Sequence, residues 1–311
     1  MRATSGNRVR GRLVLPATAT ATAVLAAATL AACAAPGPAA QDPSSARSTG
    51  GRYEPRTEKQ TLEFAEELLV RDCMRKRGYR YWVSMDTSES LSSAFPYVID
   101  DARWARSHGY GTDLRRALER EALRDPNQQY LYSMPPDRRP ALIAALNGPA
   151  PQGLEARLPT GIRVTHSDRG CTAEAERQLY KDLPAWFRAT RVTNSLAGMR
   201  IGQVMDDKRY RAAAGSWARC MRDRNHPYKN PAETRAAATL PGAPWPRAKE
   251  VALASAEAAC ATATPLASVA RALDAEYRKR LGERHPHETA DRARLAREAL
   301  PRARAVIARE G

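Results

Sequence analysis

Cys73, Cys171, Cys220 and Cys260 are the residues of this 311-residue chain best suited to chemistry, once Cys33 at the end of an apolar leader is set aside. Four thiols can pair as two disulfides, ligate a metal or act as nucleophiles. A metal site wants close Cys-x-x-Cys or Cys/His spacing, and there is none. A nucleophilic thiolate wants an adjacent imidazole, whereas His226 lies six residues past Cys220, beyond the expected end of its helix. Behind an export-type leader the chain meets an oxidising compartment, so two disulfides are the expected reading. The cysteines fall on apolar helical stripes: Cys171 with Ala175, Leu179 and Leu183, Cys220 with Ala213 and Trp217, and Cys260 with Leu253 and Ala256. All four are expected to point inward. Three connectivities are possible. Cys73–Cys171 with Cys220–Cys260 is favoured, because sequential pairing keeps one bridge in each half of the chain. Loops of that size stabilise by roughly 4 kcal/mol each in the chain-entropy account.

The other chemically capable side chains read as structural. His285-Pro286-His287 suits a turn between two helices better than a metal site. His108 precedes Gly109 at a helix end, where a cation meets the helix dipole favourably, and His166 falls in a loop. Asp100-Asp101 and Asp206-Asp207 read as helix N-terminal caps, and Glu63, Glu66 and Glu67 as a solvated helix face. Tyr79, Arg80, Tyr81 and Trp82, with Trp104 and Arg106, could stack on sugars or bases, although core packing flanked by arginine stems is the plainer reading. No nucleophile elbow, metalloprotease helix, phosphate loop or dinucleotide fingerprint occurs. No catalytic residue, cofactor or metal is therefore assigned.

These residues need elements to position them. Hydrophobic residues at 43% and charged residues at 27% are ordinary for a globular protein, and aromatics at 6% argue against an aromatic-rich β-sandwich. Ala and Arg dominate and both favour helix. Thr57-Glu58-Lys59-Gln60 opens a helix in which Leu62, Ala65, Leu69 and Cys73 recur at helical spacing, and Gly78 stops it. Further helices are expected at 97–107, 113–124, 137–146, 171–182, 185–204, 208–223, 246–281 and 287–309, with Pro184 and Pro301 as kinks or breaks. Pro241 is read as punctuation, and 147–167 as a Pro/Gly-rich loop whose one strand candidate is Ile162-Arg163-Val164. The expected fold is all-α: an irregular multi-helix domain stapled by two disulfides.

The N-terminus speaks to location. Arg2, Arg8, Arg10 and Arg12 precede a moderately apolar stretch from Leu13 to Leu30, diluted by Pro16 and four threonines. Leu30-Ala31-Ala32-Cys33 follows, and it resembles the lipobox of bacterial lipoproteins, in which the cysteine thiol receives a diacylglyceryl group. The expected organisation is a signal peptide at 1–32, a lipid-anchored linker at 33–56 and a helical extracytoplasmic domain at 57–311. The net charge of +16 would suit an anionic wall polymer. Nucleic acid is not expected: the leader makes a cytosolic DNA encounter implausible, and 43 Arg and 7 Lys beside abundant Ala are what a high-GC genome would produce.

Within the domain, Cys73-Met74-Arg75-x-Arg77 with Tyr81 recurs as Cys220-Met221-Arg222-x-Arg224 with Tyr228. The echo admits two pseudo-repeated halves, 57–205 and 206–311. From 60 to about 285 the chain resembles a group of actinobacterial secreted proteins and lipoproteins. The matching residues are Cys73-Met74 with Gly78-Tyr79-x-Tyr81, Ala105-x-x-His108-Gly109-Tyr110-Gly111, Asn127-x-x-Tyr130 with Ala145-Leu146-Asn147-Gly148, and Gly170-Cys171 with Ala175-Glu176-x-x-Leu179-Tyr180. Trp217-x-x-Cys220-Met221, Glu250-Val251-Ala252, Cys260 and Glu276-Tyr277 complete the set. Asn225 stands where the second half carries glycine in that group. The resemblance implies an exported, helical, disulfide-bearing protein and brings no activity with it. The expected function is a lipid-anchored, non-enzymatic binding or scaffold protein of the cell envelope, on the outer face of the membrane. Its partners would be the membrane itself and an envelope protein or anionic wall polymer. The alternatives are an enzyme on wall glycans, which needs two converging carboxylates, and a small-ligand carrier for a transporter, which needs a pocket between helices.

Overall fold

The computed structural model describes residues 53–55, 57–85, 94–240 and 245–310; Cys33, the leader, most of the linker and Pro241 lie outside them. Among the described residues the fold is all-α apart from one small hairpin. Helix α1 (Glu58–Lys76) begins where the Thr57 hydroxyl accepts the Gln60 N–H at 3.1 Å, satisfying one of the unpaired donors at a helix start. It ends in a turn whose Gly78 and Tyr79 N–H groups donate to the Arg75 and Met74 carbonyls, with Gly78 at φ +81°. Helix α2 (Ala102–His108) starts later than the expected 97, because Asp101 caps it by accepting the Arg103 and Trp104 N–H groups. Residues 97–99 are non-helical and buried instead.

Helices α3 (Thr112–Ala122), α4 (Pro126–Ser133) and α5 (Arg139–Asn147) follow. Helix α4 falls outside the expected helical spans. Asp125 accepts the Asn127 N–H while Pro126 fills the first turn, where its missing N–H has no helical partner to lose. The expected loop at 147–167 holds a hairpin, β1 (Gly153–Arg157) antiparallel to β2 (Arg163–Ser167) with Ala156 opposite Val164. The missed signal was the alternation that buries Leu154 and Ala156 between exposed neighbours.

Helix α6 (Cys171–Tyr180) leads to α7 (Leu183–Asp206), where Pro184 sits in the first turn rather than at a kink. Helix α8 (Lys208–Asp223) occupies the expected span, with Asp207 accepting the Arg209 N–H at its start. The missed helix α9 (Pro231–Ala238) repeats the α4 device, with Asn230 as cap and Pro231 after it. The expected helix 246–281 is two, α10 (Arg247–Ala263) and α11 (Leu266–Arg284). Pro265 forces Thr264 into extended backbone, and the Thr264 N–H and hydroxyl both donate to the Cys260 carbonyl, at 3.1 and 2.7 Å. Helix α12 (Pro286–Ala308) runs unbroken through Pro301.

Two apolar clusters form the core. The first gathers α1, α4, α5, α6, the start of α7 and α12 around Met74, Leu131, Leu179 and Ala299. The second gathers residues 97–110 with α8, α10 and α11 around Ile99, Trp217, Met221 and Leu253. A small third cluster seats the hairpin on Leu183 and Phe187. Helix α7, about 36 Å long at 1.5 Å per residue, runs from the first cluster to Val204 in the second. The last helix packs against the first, so the core is not divided along the order of the chain.

Candidate functional site

The cysteines pair as Cys73–Cys171 and Cys220–Cys260, with Cα–Cα distances of 5.5 and 5.7 Å, inside the range a disulfide spans without moving backbone. Cys171 and Cys260 are fully buried. Cys73 and Cys220 are only partly so, which corrects the expectation that all four point inward.

The first bridge opens on a cleft of about 490 Å³ between α1, α6 and the end of α12. Leu69, Ala175 and Val306 give it an apolar floor. Its acids are paired with arginines: Asp72 with Arg71 and Arg75, Glu310 with Arg71 at 2.5 Å, and Glu174 with Arg77. Arg309 and Lys76 line the same cleft and form no ion pair with described residues, so its rim is cationic. Glu174 Oε2 stands 3.1 Å from Cys73 Sγ. A disulfide sulfur carries no proton, so this is a close approach and not a hydrogen bond. Cys73, Cys171 and Glu174 cluster closely enough to hold a metal ion, but sulfurs joined to one another offer no thiolate, so they are a ligand set only after reduction.

Beside the second bridge lie two carboxylates that sequence reading missed. Glu250 and Glu257 sit on the same stripe of α10 as Leu253 and Cys260, and are 2% and 0% exposed. Glu257 accepts the Ile99 N–H at 2.9 Å and the hydroxyls of Tyr110 and Thr234 at 2.5 and 2.6 Å. Burial pushes its carboxyl well above the usual range, and those three donors only partly offset it. Glu250 accepts the Tyr110 N–H at 2.8 Å and the Thr112 hydroxyl. It lies so close to the chain that a Cβ at residue 109 would stand 2.9 Å from its Cγ, and Gly109 also takes φ +56°. The two acids fasten residues 99–112 to α10. The signal was in the sequence: two glutamates seven apart on an otherwise apolar stripe.

The remaining candidates separate. His108 Nδ1 meets Asp113 Oδ2 at 2.9 Å while its ring packs on Trp104. His166 lies in β2 rather than a loop. His285 closes α11 and Pro286 opens α12, the turn that the sequence suggests. Asp100 pairs with Arg271 and only Asp101 caps. Glu66 is buried and Glu67 accepts the Tyr81 hydroxyl at 3.0 Å, so the expected solvated face is in part an internal one, covered by the chain returning after Gly78. The aromatic residues form no single platform. Tyr79 and Tyr81 belong to the first cluster and Trp104 to the second, while Trp82 is held by paired amide hydrogen bonds to Asn127.

In comparison with known proteins, no family model, no curated protein and no solved structure matches the chain. Among the described residues no helix is long and apolar enough to cross a membrane.

Proposed function

We propose that the protein is a lipid-anchored component of the cell envelope that binds a partner rather than turning over a substrate. The observation that carries this is the pair of disulfides, each joining two helices. Such bridges persist in an oxidising compartment, which is where a leader ending at Cys33 would deliver the chain. Binding is favoured over catalysis by the disposition of the acids. Glu250 and Glu257 are fastened inside the core, and those of the cleft are engaged by arginines.

The test has two arms. Cells fed an alkyne fatty acid should label the wild-type protein and not a Cys33→Ala variant, and the label should follow the membrane fraction. Cross-linking in intact cells should then recover the same envelope partner from repeated preparations. Absence of label removes the anchor. Turnover of a wall glycan by the purified domain, abolished by one acidic substitution, removes the binding role.

A further inference from the structure

The two disulfides differ in where their sulfurs sit on helices. Cys73, Cys220 and Cys260 are each the fourth residue from the end of their helix. Cys171 alone is the first residue of its helix, and Gly170 before it provides no side-chain cap. A helix start stabilises a thiolate through its unpaired N–H groups and the dipole, and a helix end does the reverse. Within the first bridge the accessibilities are also unequal: Cys171 is 0% exposed, while Cys73 lines the cleft among Arg75, Lys76, Arg77 and Arg309 and the acids Asp72, Glu310 and Glu174, whose Oε2 stands 3.1 Å from its sulfur. The second bridge offers a buried Cys260 in an apolar stripe at a helix end, which is a poor place to leave a negative charge.

We propose that Cys73–Cys171 is an exchangeable disulfide, with the cleft as docking site for a dithiol protein, Cys73 Sγ as the atom attacked and Cys171 as the leaving group. A partner thiolate attacks Cys73 Sγ and forms a mixed disulfide, while the Cys73–Cys171 bond breaks and its electron pair leaves on Cys171 Sγ. The partner's second thiolate then attacks its own mixed-disulfide sulfur and releases Cys73. The partner is oxidised to a disulfide, the bridge is reduced by two electrons, and the two protons of the dithiol end on Cys73 and Cys171. Run backwards, the same steps install the bridge: an oxidised partner is captured by Cys73, and Cys171, the better-stabilised thiolate, displaces it. In the forward direction Lys76 and Arg309 on the rim attract the partner thiolate, while the Glu174 carboxylate beside Cys73 opposes it.

The experiment uses the full chain in mild detergent with reduced glutathione as the probe, quenched at intervals with N-ethylmaleimide and mapped by mass spectrometry. Glutathione should appear on Cys73 with maleimide on Cys171, at a concentration about tenfold below that which opens Cys220–Cys260. The reverse placement, with glutathione on Cys171, overturns the assignment. Opening of both bridges together, of Cys220–Cys260 first, or of neither overturns the exchangeable site. Recovery of Cys73 and Cys171 as free thiols before any treatment overturns it as well.

Discussion

The turn after Met74 and the turn after Met221 are the same object built twice. Each helix ends with a residue in left-handed backbone, Gly78 at φ +81° and Asn225 at φ +64°. In each, the next two N–H groups return to the helix: Gly78 and Tyr79 to Arg75 and Met74, Asn225 and His226 to Arg222 and Met221. Each buries its methionine completely and leaves the preceding cysteine at the rim. What differs is the surroundings. Cys73 meets the start of a helix at an open, charged cleft, and Cys220 meets the end of one beside two buried carboxylates. A short sequence therefore specifies its own turn, and the partner it meets specifies what that turn is for.

Four measurements would break or sharpen the comparison. The largest effect is expected from the bridges themselves. With sequence separations of 98 and 40 residues, replacing both cysteines of a pair by alanine should cost roughly 5 kcal/mol for Cys73–Cys171 and roughly 4 for Cys220–Cys260. Denaturant midpoints of the two double variants measure this. A reversed order would mean that packing around the second bridge outweighs loop entropy. Next come the methionines. Met74→Ala and Met221→Ala should each cost about 2–5 kcal/mol, and the two values should agree to about 1, because both leave a cavity of one side chain under the same turn. Widely different losses would show that the two turns are alike only in backbone.

The third concerns pH and belongs to the second region. The Glu257 carboxyl titrates higher in the folded chain than in the unfolded one, with Tyr110, Tyr210, Thr234 and Arg235 around it. Its contribution is therefore full below the ordinary glutamate range and is lost as pH rises toward its folded value, at a slope of at most about 1.4 kcal/mol per pH unit. Glu257→Gln should flatten that part of the stability profile relative to wild type, and superimposable profiles would mean that Glu257 is ionised in the core. The smallest effect is at the turn residues. Gly78→Ala should cost about 1 kcal/mol, whereas Asn225→Gly should be neutral or stabilise by up to about 1, since only the first forces a Cβ into left-handed backbone. A loss from Asn225→Gly would mean that the asparagine side chain has a role of its own.

Much of the scaffold was legible. The Thr57 cap, the Gly78 stop, the span of α8 and the turn at His285-Pro286 are all local events, governed by the hydrogen bonding of a few consecutive residues. The errors share a cause. A proline means different things after different residues: Asp125 and Asn230 make Pro126 and Pro231 helix starts, while Thr264 before Pro265 ends a helix. Of the hairpin, the candidate Ile162-Arg163-Val164 overlaps β2, while β1 was hidden because two buried residues, Leu154 and Ala156, are too few to stand out as a period. Glu66 was misread because nothing within α1 says that chain returning from Gly78 covers that face.

By itself the sequence determined the helical class and the turn at Gly78, and it favoured the observed cysteine pairing among three, because periodicity and caps act over short stretches and sequential pairing needs only the order of the cysteines. Only the tertiary structure decided which side of each bridge faces solvent, that α12 closes on α1, and that Glu250 and Glu257 hold residues 99–112 from inside the core. The hold of Glu257 on Ile99 and of Glu250 on Tyr110 joins groups 158 and 140 residues apart at hydrogen-bond distance. The local pattern of a helix shows that it has a face to cover, but it does not name the segment that will cover it.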